Sequence, residues 1–453
     1  MSTQTRARPP SVDAVLAVAR RGLHGQVDAV ALTAAARAVV DDERRRLDSG
    51  REPTPVDGLA ANVAARLASF ARVPLEPVIN ATGVIVHTNL GRAPWPAVAL
   101  RAAAGAANGY LLLELDEETG RRGARFRQAE DHLIALTGAE DALVTNNNAA
   151  ALALAVGLAG RGRGVAVSRG ELVEIGGGVR IPEIVRRAGA RLVEVGTTNR
   201  TRVSDFAAPL EDGLARVVLR VHPSNFRQEG FTETPDAGEL ASVAHEHGAI
   251  IIDDLGSGAL LATERFGLAH EPTPSERLAA GSDVVTFSGD KLVGGPQAGL
   301  IVGRVDLVSR MRRDPLARAT RPDKVTLAAV AATLGLYVAG RAEAEIPVWR
   351  MIGAGIDGLR ERAQRAAAAV GQAAEVIDTE ATVGGGSLPG ETLPSAGIAI
   401  AAARRPDALA AALRRGKPAV IGRIHAGRVV LDLRTVEPDR DSELIAAVGA
   451  AIG

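Results

Sequence analysis

The chain of 453 residues is long enough for two or three domains with substantial cores, and its 46% hydrophobic and 23% charged residues are typical of a globular protein. A formal net charge of +0 excludes a general electrostatic attraction to nucleic acid or to an anionic membrane. The absence of cysteine excludes disulfides and thiolate catalysis.

Two features of the sequence bear on cellular location. Residues 1–13 contain no apolar core of the kind found in signal peptides. The uncharged stretch Val325–Gly340 is shorter than the roughly 18 residues expected of a membrane span, and it contains threonines. We therefore expect a cytoplasmic protein.

Residues 1–75 are expected to form a separate helical domain. Ser11 is a suitable N-cap for a first helix, and further helices are predicted near Asp28–Leu47 and Asp57–Phe70. This region holds 11 arginines against 8 acidic residues, an excess of three positive charges. The excess fits an RNA-binding module, and it fits a solvated helical face at least as well.

The segment Val78–Arg92 follows this domain and ends in Asn-Leu-Gly-Arg, a sequence typical of a turn. Arg92 on such a turn could bind an anion, or it could only cap the turn.

From Gly138 to Arg304 the sequence alternates short apolar runs, loops and helical patterns, which is typical of an α/β domain with a mainly parallel sheet. We assign residues 76–325 to this large domain. Helices are predicted near Ala149–Leu158, Gly178–Arg187 and Ala237–His247. Seven strands are predicted near Asp141–Thr145, Gly164–Ser168, Leu192–Val195, Val217–Val221, Ala249–Asp253, Val284–Ser288 and Leu300–Val302.

Polar residues gather at the expected carboxyl ends of four of these strands. Since ligands bind at the carboxyl ends of parallel strands, these clusters are expected to form one site. The clusters are Thr145-Asn146-Asn147-Asn148, His222-Pro223-Ser224-Asn225, Asp253-Asp254-Leu255-Gly256-Ser257-Gly258 and Ser288-Gly289-Asp290-Lys291.

Lys291 indicates the chemistry of this site. The chain contains 53 Lys plus Arg residues but only three lysines, Lys291, Lys324 and Lys417. Because a guanidinium group can neither be deprotonated nor form a Schiff base, a lysine kept among so many arginines indicates a need for a primary amine. Its apolar and glycine neighbours disfavour an ordinary surface position. We predict that Lys291 is a pyridoxal-phosphate lysine.

Pyridoxal phosphate also requires a carboxylate at its pyridine nitrogen and a cradle for its phosphate. Asp253 and Asp254 both qualify as the carboxylate by position, and their side chains are expected to point to opposite faces of the sheet. Asn147 and Asn148 stand at the start of a helix, where free N–H groups and the helix dipole favour phosphate. Ser288 could add a hydroxyl group.

Two other kinds of site are disfavoured. The chain has no glycine-rich loop ending in Gly-Lys-Ser/Thr, so a nucleoside triphosphatase is not expected. Its eight histidines are scattered, and His245 and His247 lie at the wrong spacing for one metal-binding face, so no zinc site is expected.

The segment Arg310–Lys324 is rich in arginine. Arg318 and Arg321 would project from one face of a helix, where two guanidinium groups could hold a phosphate-like anion. On these residues alone, a surface helix is the favoured alternative. Beyond them we predict a helix at Val325–Ala339 and a smaller C-terminal α/β domain, residues 326–453.

Several longer motifs run through the chain. They are Asn80-Ala81-Thr82-Gly83, Thr88-Asn89-Leu90-Gly91-Arg92, Thr145-Asn146-Asn147-Asn148-Ala149-Ala150, Ser168-Arg169-Gly170-Glu171, Glu174-Ile175-Gly176-Gly177, Asp254-Leu255-Gly256-Ser257-Gly258, Phe287-Ser288-Gly289-Asp290-Lys291, Gly294-Gly295-Pro296-Gln297-Ala298-Gly299, Asp314-Pro315-Leu316-Ala317-Arg318-Ala319 and Gly384-Gly385-Gly386-Ser387-Leu388-Pro389. With these motifs the chain resembles the bacterial L-seryl-tRNA(Sec) selenium transferases, or selenocysteine synthases, over nearly its whole length.

The resemblance implies a pyridoxal-phosphate-dependent enzyme of fold type I, with Lys291 as the Schiff-base lysine. It implies Asp254 as the pyridine partner, with Asp253 as the less favoured alternative. The implied substrates are serine esterified to the selenocysteine tRNA, and selenophosphate. In the implied reaction the freed Lys291 amine removes the α-proton, the β-hydroxyl leaves, and selenium adds to the resulting aminoacrylyl group.

The resemblance also assigns binding residues and partners. It implies that Arg92, Arg318 and Arg321 bind the phosphate of selenophosphate. His222 and Asn225 are further candidates near the cofactor ring, on position alone. The N-terminal domain is implied to contact the tRNA, and the subunits to assemble as a homodecamer, a pentamer of dimers.

Two other functions stay open on the sequence. A related pyridoxal-phosphate lyase acting on a free small amino acid or amino-sugar acid would share Lys291, Asp254 and the asparagine loop, but it would need neither the N-terminal helices nor the three arginines together. A catalytically inactive tRNA-binding scaffold would not need Lys291.

Overall fold

The computed structural model describes residues 8–23, 27–71, 75–122, 125–175, 178–401 and 405–453. Gly176 and Gly177 of the predicted motifs lie outside these residues, as do parts of the predicted N-terminal domain. The chain divides into two compact units, Met1–Pro77 and Val78–Gly453. In the part of the chain that is described, no helix is long and apolar enough to cross a membrane.

The first unit contains the three helices predicted for it. Helix α1 spans Val12–Gly22, α2 spans Ala29–Asp48 and α3 spans Val56–Ala71. Ser11 caps α1 by accepting a backbone N–H at 3.2 Å, and Asp28 caps α2 in the same way. The three helices bury an apolar core of their own, which includes Val15, Leu16, Val39, Val40, Leu59 and Val63.

The second unit contains all the strands of the described chain. In chain order they are β1 Val78–Asn80, β2 Val84–Val86, β3 Asp141–Thr145, β4 Gly164–Ser168, β5 Glu174–Ile175, β6 Val179–Arg180, β7 Arg191–Val195, β8 Val217–Val221, β9 Ile250–Gly256, β10 Val284–Ser288, β11 Gly299–Gly303, β12 Ala374–Gly384, β13 Thr392–Ile400, β14 Ala419–Ile421, β15 Arg423–His425 and β16 Arg428–Asp432.

Seven of these strands form the large sheet, in the order β3-β11-β10-β9-β8-β4-β7. Neighbouring strands from β10 to β7 are parallel, whereas β11 is antiparallel to both β10 and β3. Strands β8 and β10 are buried at every residue, as expected for strands covered on both faces. The prediction of a mainly parallel seven-stranded sheet is confirmed.

Helices cover both faces of the large sheet. Those of the second unit are α4 Ala97–Ala107, α5 Gln128–Thr137, α6 Asn148–Gly157, α7 Ile181–Arg187, α8 Val203–Glu211, α9 Ala237–Glu246, α10 Pro274–Ala279, α11 Val305–Arg313, α12 Pro315–Ala319, α13 Lys324–Val338, α14 Ala342–Glu345, α15 Pro347–Gly353, α16 Ile356–Val370, α17 Pro406–Arg415 and α18 Asp441–Ile452. Helices α8 and α9 share a core with Val218 and Ile251, and α6, α7 and α11 share another with Leu219 and Ile252. Because Val218 and Leu219 are neighbours on β8, these two cores lie on opposite faces of the sheet.

A second sheet has the order β15-β16-β13-β12-β2, and β1 pairs separately with β14. Strands β1 and β2 therefore pair with C-terminal strands, although the sequence placed residues 78–86 in the large domain. The reason is apolar packing: Ile79 and Ala81 share a core with α16 and α18. The predicted domain boundaries at residues 75 and 325 stay a prediction.

Two predicted element ends were wrong. Helix α7 begins at Ile181 rather than Gly178, because Val179–Arg180 form β6 and pair with β5. Strand β9 continues past Asp253 to Gly256, because it has hydrogen-bonded neighbours on both sides, β8 and β10. Asp254 is therefore held within the ladder.

Candidate active site

The carboxyl ends of β3, β8, β9 and β10 lie at one edge of the large sheet. Strands β8, β9 and β10 are parallel, and β3 runs in the same direction because both β3 and β10 are antiparallel to β11. The four polar clusters of the sequence therefore share this edge, where ligand sites of α/β sheets are found.

Lys291 follows β10, and its side chain is partly buried. Its Nζ lies 3.4 Å from the carbonyl oxygen of Gly386. Gly386 has a φ of +81°, and a Cβ at this position would lie 2.5 Å from Nζ, so a larger residue would displace the amine. Burial lowers the pKa of the Lys291 amine, an effect opposed by Asp254 and reinforced by Arg92. This shift increases the neutral fraction of the amine, which is the nucleophilic and basic form.

Asp254 is the buried carboxylate of β9 that acts on this amine. Its Oδ1 accepts hydrogen bonds from Nδ2 of Asn148 at 2.8 Å and from Oγ1 of Thr286 at 3.0 Å. Burial raises the pKa of Asp254, whereas these two donors and the positive charge of Lys291 lower it. The fixed donors orient the carboxylate and stabilise its charged form.

Asp253 points to the opposite face of β9. Ser282 donates a hydrogen bond to Oδ2 of Asp253, and guanidinium nitrogens of Arg220 and Arg277 each lie 3.9 Å from its Oδ1. Asp253 therefore belongs to a buried charge cluster behind the sheet. Of the two predicted carboxylates, the geometry favours Asp254 as the partner of a ligand held by Lys291.

The asparagine loop differs from the predicted phosphate cradle. The side chain of Asn147 is the N-cap of α6 and accepts the N–H of Ala150 at 2.9 Å. The side chain of Asn148 is directed to Asp254 instead of a phosphate. An anion at this loop would have to be held by the other backbone N–H groups at the start of α6, because the N–H of Ala150 is already bonded to Asn147. Ser288 is buried at the end of β10.

Arg92 is connected to the lysine turn through Asp290. Its Nη1 lies 2.6 Å from Oδ2 of Asp290, and the N–H of Ala93 donates to the carbonyl of Asp290 at 3.2 Å. Arg92 has a φ of 64°, an uncommon backbone conformation for a side chain of this size. Two contacts to the residue before Lys291 therefore hold Arg92 at the edge of the sheet.

Arg318 and Arg321 do not share one face of a helix, and that part of the prediction is wrong. Helix α12 is only five residues long and ends at Ala319, and Thr320 caps it. Arg321 follows outside the helix and precedes Pro322, which has no N–H group to continue the helical hydrogen bonds.

Arg321 instead lies in a cavity of about 330 Å³. Its Nη1 lies 3.1 Å from Oε1 of Glu114. Burial lowers the pKa of Arg321, and the positive charges of Arg125 and Arg318 lower it further. The N–H of Asn146 donates to the Thr320 carbonyl at 2.8 Å, which joins this segment to the asparagine loop.

The cavity around Arg321 is lined mainly by charged residues. The charged residues of the lining are Glu114, Arg122, Arg125, Arg127, Glu130, Arg312 and Arg321.

Arg92 and Arg321 have different carboxylate partners. Among the described residues, Arg321 pairs with Glu114 and Arg92 pairs with Asp290.

His222 and Asn225 occupy a turn directly after β8. The N–H of His222 donates to the Asp254 carbonyl at 2.9 Å, so its backbone is fixed beside the carboxylate. Its Nε2 lies 3.3 Å from Oε1 of Glu271. Asn225 is exposed, and its amide donates to the Glu174 carbonyl at 2.8 Å, so the structure gives Asn225 a place in holding the turn.

The residues around Lys291 fit a polar aromatic cofactor with an anionic group. Buried side-chain atoms near the site that lack hydrogen-bond partners within the described chain include Oδ1 of Asn148, Oγ of Ser257 and Oγ of Ser387. A Cβ on Gly256 would lie 3.6 Å from Nζ of Lys291, so this glycine also leaves space at the amine. Unpartnered polar atoms around an open amine are what a bound ligand would satisfy. In the described part of the chain, no cluster of three or more His, Asp or Glu side chains could hold a metal ion.

Sequence reasoning missed three residues of this arrangement. Asp290 and Gly386 lie in two of the chain's long motifs, so a signal was present, but their contacts to Arg92 and Lys291 are not visible in the sequence. Glu271 follows no recognisable motif, and only the fold brings it to His222.

The sheet order, the lysine after β10 and the aspartate on β9 define the type-I fold of pyridoxal-phosphate-dependent enzymes. The solved structure of D-glucosaminate-6-phosphate ammonia-lyase shares this fold, with a TM-score of 0.60 and 21% identity over 85% of this chain and 98% of that chain. The family model described as SelA, L-seryl-tRNA selenium transferase, matches residues 78–437. The chain belongs to this family.

Full-length relatives agree with this assignment. The L-seryl-tRNA(Sec) selenium transferase of Rhizobium meliloti (strain 1021) is 44% identical over 443 residues, which are 95% of this chain and 95% of the relative. The protein of the same name from Moorella thermoacetica is 44% identical over 456 residues, 98% of this chain and 96% of the relative. The match therefore includes the N-terminal helices.

Proposed function

We propose that this protein converts seryl-tRNA(Sec) to selenocysteinyl-tRNA(Sec). The seryl group would lose its β-hydroxyl as water and gain selenium from selenophosphate. The observation that carries the proposal is that Lys291, after β10, and Asp254, near the end of β9, share one edge of the large sheet in a chain of the L-seryl-tRNA selenium transferase family. A lyase for free amino acids is disfavoured, because the ammonia-lyase shares the fold alone at 21% identity.

Pyridoxal 5'-phosphate is the proposed cofactor. When bound, it supplies an electron sink for the carbanion that forms at the substrate α-carbon. Lys291 would hold its aldehyde carbon and Asp254 its pyridine nitrogen. The backbone at Asn147 and Asn148, with the Ser288 hydroxyl, would hold its phosphate.

Lys291 is also the proposed base. Burial lowers the pKa of its amine, so a larger fraction is neutral at physiological pH than for an exposed lysine. A neutral amine can take the proton from the substrate α-carbon, and it can later return a proton to the same atom. The close approach of Gly386 to Nζ limits how far the amine can move between these tasks.

Selenophosphate is proposed to bind to Arg92, Arg318 and Arg321. A guanidinium group has five N–H donors, and the ion pair with Asp290 involves only Nη1 of Arg92. The remaining donors can form charge-assisted hydrogen bonds to a phosphate. Asp290 would hold the guanidinium group of Arg92 in place before the anion binds, and Glu114 would hold that of Arg321.

The Met1–Pro77 unit is proposed to bind the tRNA. It is compact, has its own core and carries an excess of arginine. Because the whole chain has a formal net charge of +0, recognition would depend on this local surface and on the shape of the tRNA. A pentamer of dimers in the cytoplasm is the proposed active form, on the resemblance to the family.

Replacing Lys291 tests the proposed function. Lys291→Ala is expected to abolish formation of selenocysteinyl-tRNA from seryl-tRNA(Sec) and selenophosphate, because no other amine can replace the base and the cofactor anchor. The measurement is chromatographic identification of the aminoacyl product. Lys417→Ala, the matched control, should form product at the wild-type rate. Turnover by Lys291→Ala would contradict the proposal.

Replacing two arginines tests the selenophosphate site. The double variant Arg318→Ala with Arg321→Ala is expected to bind the cofactor normally, by visible absorbance, but to raise the selenophosphate concentration needed for half-maximal rate by about 10²-fold or more, because two charge-assisted contacts are lost. Arg405 is exposed, so Arg405→Ala is the control and should need the same selenophosphate concentration as the wild type. Loss of the cofactor in the double variant would show that these arginines serve another site.

Removing residues 1–77 tests the N-terminal unit. The shortened protein, Val78–Gly453, retains all the strands of the described chain and should still bind the cofactor. Its affinity for seryl-tRNA(Sec), measured by filter binding at one fixed salt concentration, is expected to fall at least about tenfold. Unchanged affinity would favour the lyase alternative.

A further inference from the structure

Glu271 is a buried carboxylate that the proposed reaction does not use. Glu271 is 2% exposed, yet its Oε1 accepts no hydrogen bond from any described residue. A buried carboxylate oxygen without a donor is costly, so its presence points to a role in the site. The polar side chain at Oε1 is His222, whose Nε2 lies 3.3 Å away but is not aligned for a hydrogen bond.

The segment that carries Glu271 is fixed by hydrogen bonds. The N–H of Glu271 donates to Oγ1 of Thr263 at 3.0 Å, and that hydroxyl donates to the Ala269 carbonyl at 2.6 Å. Two residues further on, Thr273 begins α10 with a reciprocal cap to Glu276. A segment fixed on both sides can hold a side chain in one position, as a site residue requires.

Ser224, on the turn that carries His222, lies near Gly256, as does the amine of Lys291. A Cβ on Gly256 would lie 3.3 Å from Oγ of Ser224 and 3.6 Å from Nζ of Lys291, so Ser224 and the amine flank the same glycine. The negative charge of Glu271 raises the pKa of the Lys291 amine, which agrees with a position close to it. The turn that carries His222 therefore lies beside the same glycine as the amine, and Glu271 adjoins that turn through His222.

We propose that Glu271 is a positioning residue of the active site: in the loaded protein its Oε1, 3.3 Å from Nε2 of His222 here, accepts the Nε2 proton and fixes the imidazole on the turn next to Asp254. With Nε2–H directed to Glu271, Nδ1 carries the lone pair and is a hydrogen-bond acceptor. The group it would take is a hydroxyl, either the β-hydroxyl of the seryl substrate or the ring hydroxyl of the cofactor. This inference rests on the proposed function.

The isosteric change Glu271→Gln tests the pair in the full-length, cofactor-loaded protein. It is expected to keep the cofactor and to lower the single-turnover rate of seryl-tRNA consumption about 10²-fold, because the imidazole loses its fixed tautomer. His222→Gln should lose a similar factor, and the double variant little more, since the two residues act as one unit. Glu264→Gln is the matched control, because Glu264 pairs with the exposed His270 in the same segment and should behave as wild type.

A second readout needs no tRNA: the visible absorbance of the loaded protein as a function of pH. A shifted midpoint in Glu271→Gln and His222→Gln, absent from Glu264→Gln, would assign the contact to the cofactor hydroxyl. An unshifted midpoint with the rate loss would assign it to the substrate hydroxyl. Failure of wild type to consume seryl-tRNA would overturn the proposed function alone, because the absorbance readout still tests the pair.

The inference is overturned if Glu271→Gln matches Glu264→Gln in both readouts, or if the losses in the double variant are additive. Should Glu271→Gln fail to fold, Glu271→Asp takes its place. Aspartate keeps the negative charge, but its shorter side chain lies farther from Nε2 of His222. The single-turnover rate is therefore expected to fall about tenfold, and a wild-type rate would also overturn the inference.

Discussion

The site depends on one amine and one carboxylate that are both buried at the same edge of the large sheet. Burial lowers the pKa of Lys291 and raises that of Asp254, so the surroundings work against both charges. Each charge is supported by the other group, and Asp254 also by Asn148 and Thr286. Such a pair suits a ligand with an aldehyde for the amine and a basic nitrogen for the carboxylate, because that ligand satisfies both groups at once.

The second sheet brings distant segments to this pair. Strand β2 pairs with the end of β12, where Val86 is opposite Gly384, and the N–H of Gly385 donates to the Val86 carbonyl at 3.1 Å. One pairing thus sets both the turn that carries Arg92 and the turn that places Gly386 on the lysine amine. Residues nearly 300 positions apart are positioned together, so a change in this pairing would disturb the turns that carry Arg92 and Gly386 at once.

The large sheet and its polar edge could be predicted because buried parallel strands leave a local signature, an apolar run followed by glycine and polar residues. Lys291 stood out because arginine replaces lysine almost everywhere else. The pairing of β2 with β12, the place of Asn148 on Asp254 and the approach of Glu271 to His222 could not be predicted, since each depends on contacts between distant segments. The helical spacing of Arg318 and Arg321 was misleading, because spacing cannot show that α12 stops at Ala319.

The most direct test of the account uses the small number of lysines. The full-length protein is incubated with pyridoxal phosphate, reduced with borohydride at a series of pH values, and mapped by peptide mass spectrometry. The account predicts pyridoxyl label on Lys291, with a midpoint below the ordinary lysine pKa of about 10.4, because burial favours the neutral amine. Label on Lys324 or Lys417 instead, or labelling of Lys291 only near that ordinary pKa, would contradict it.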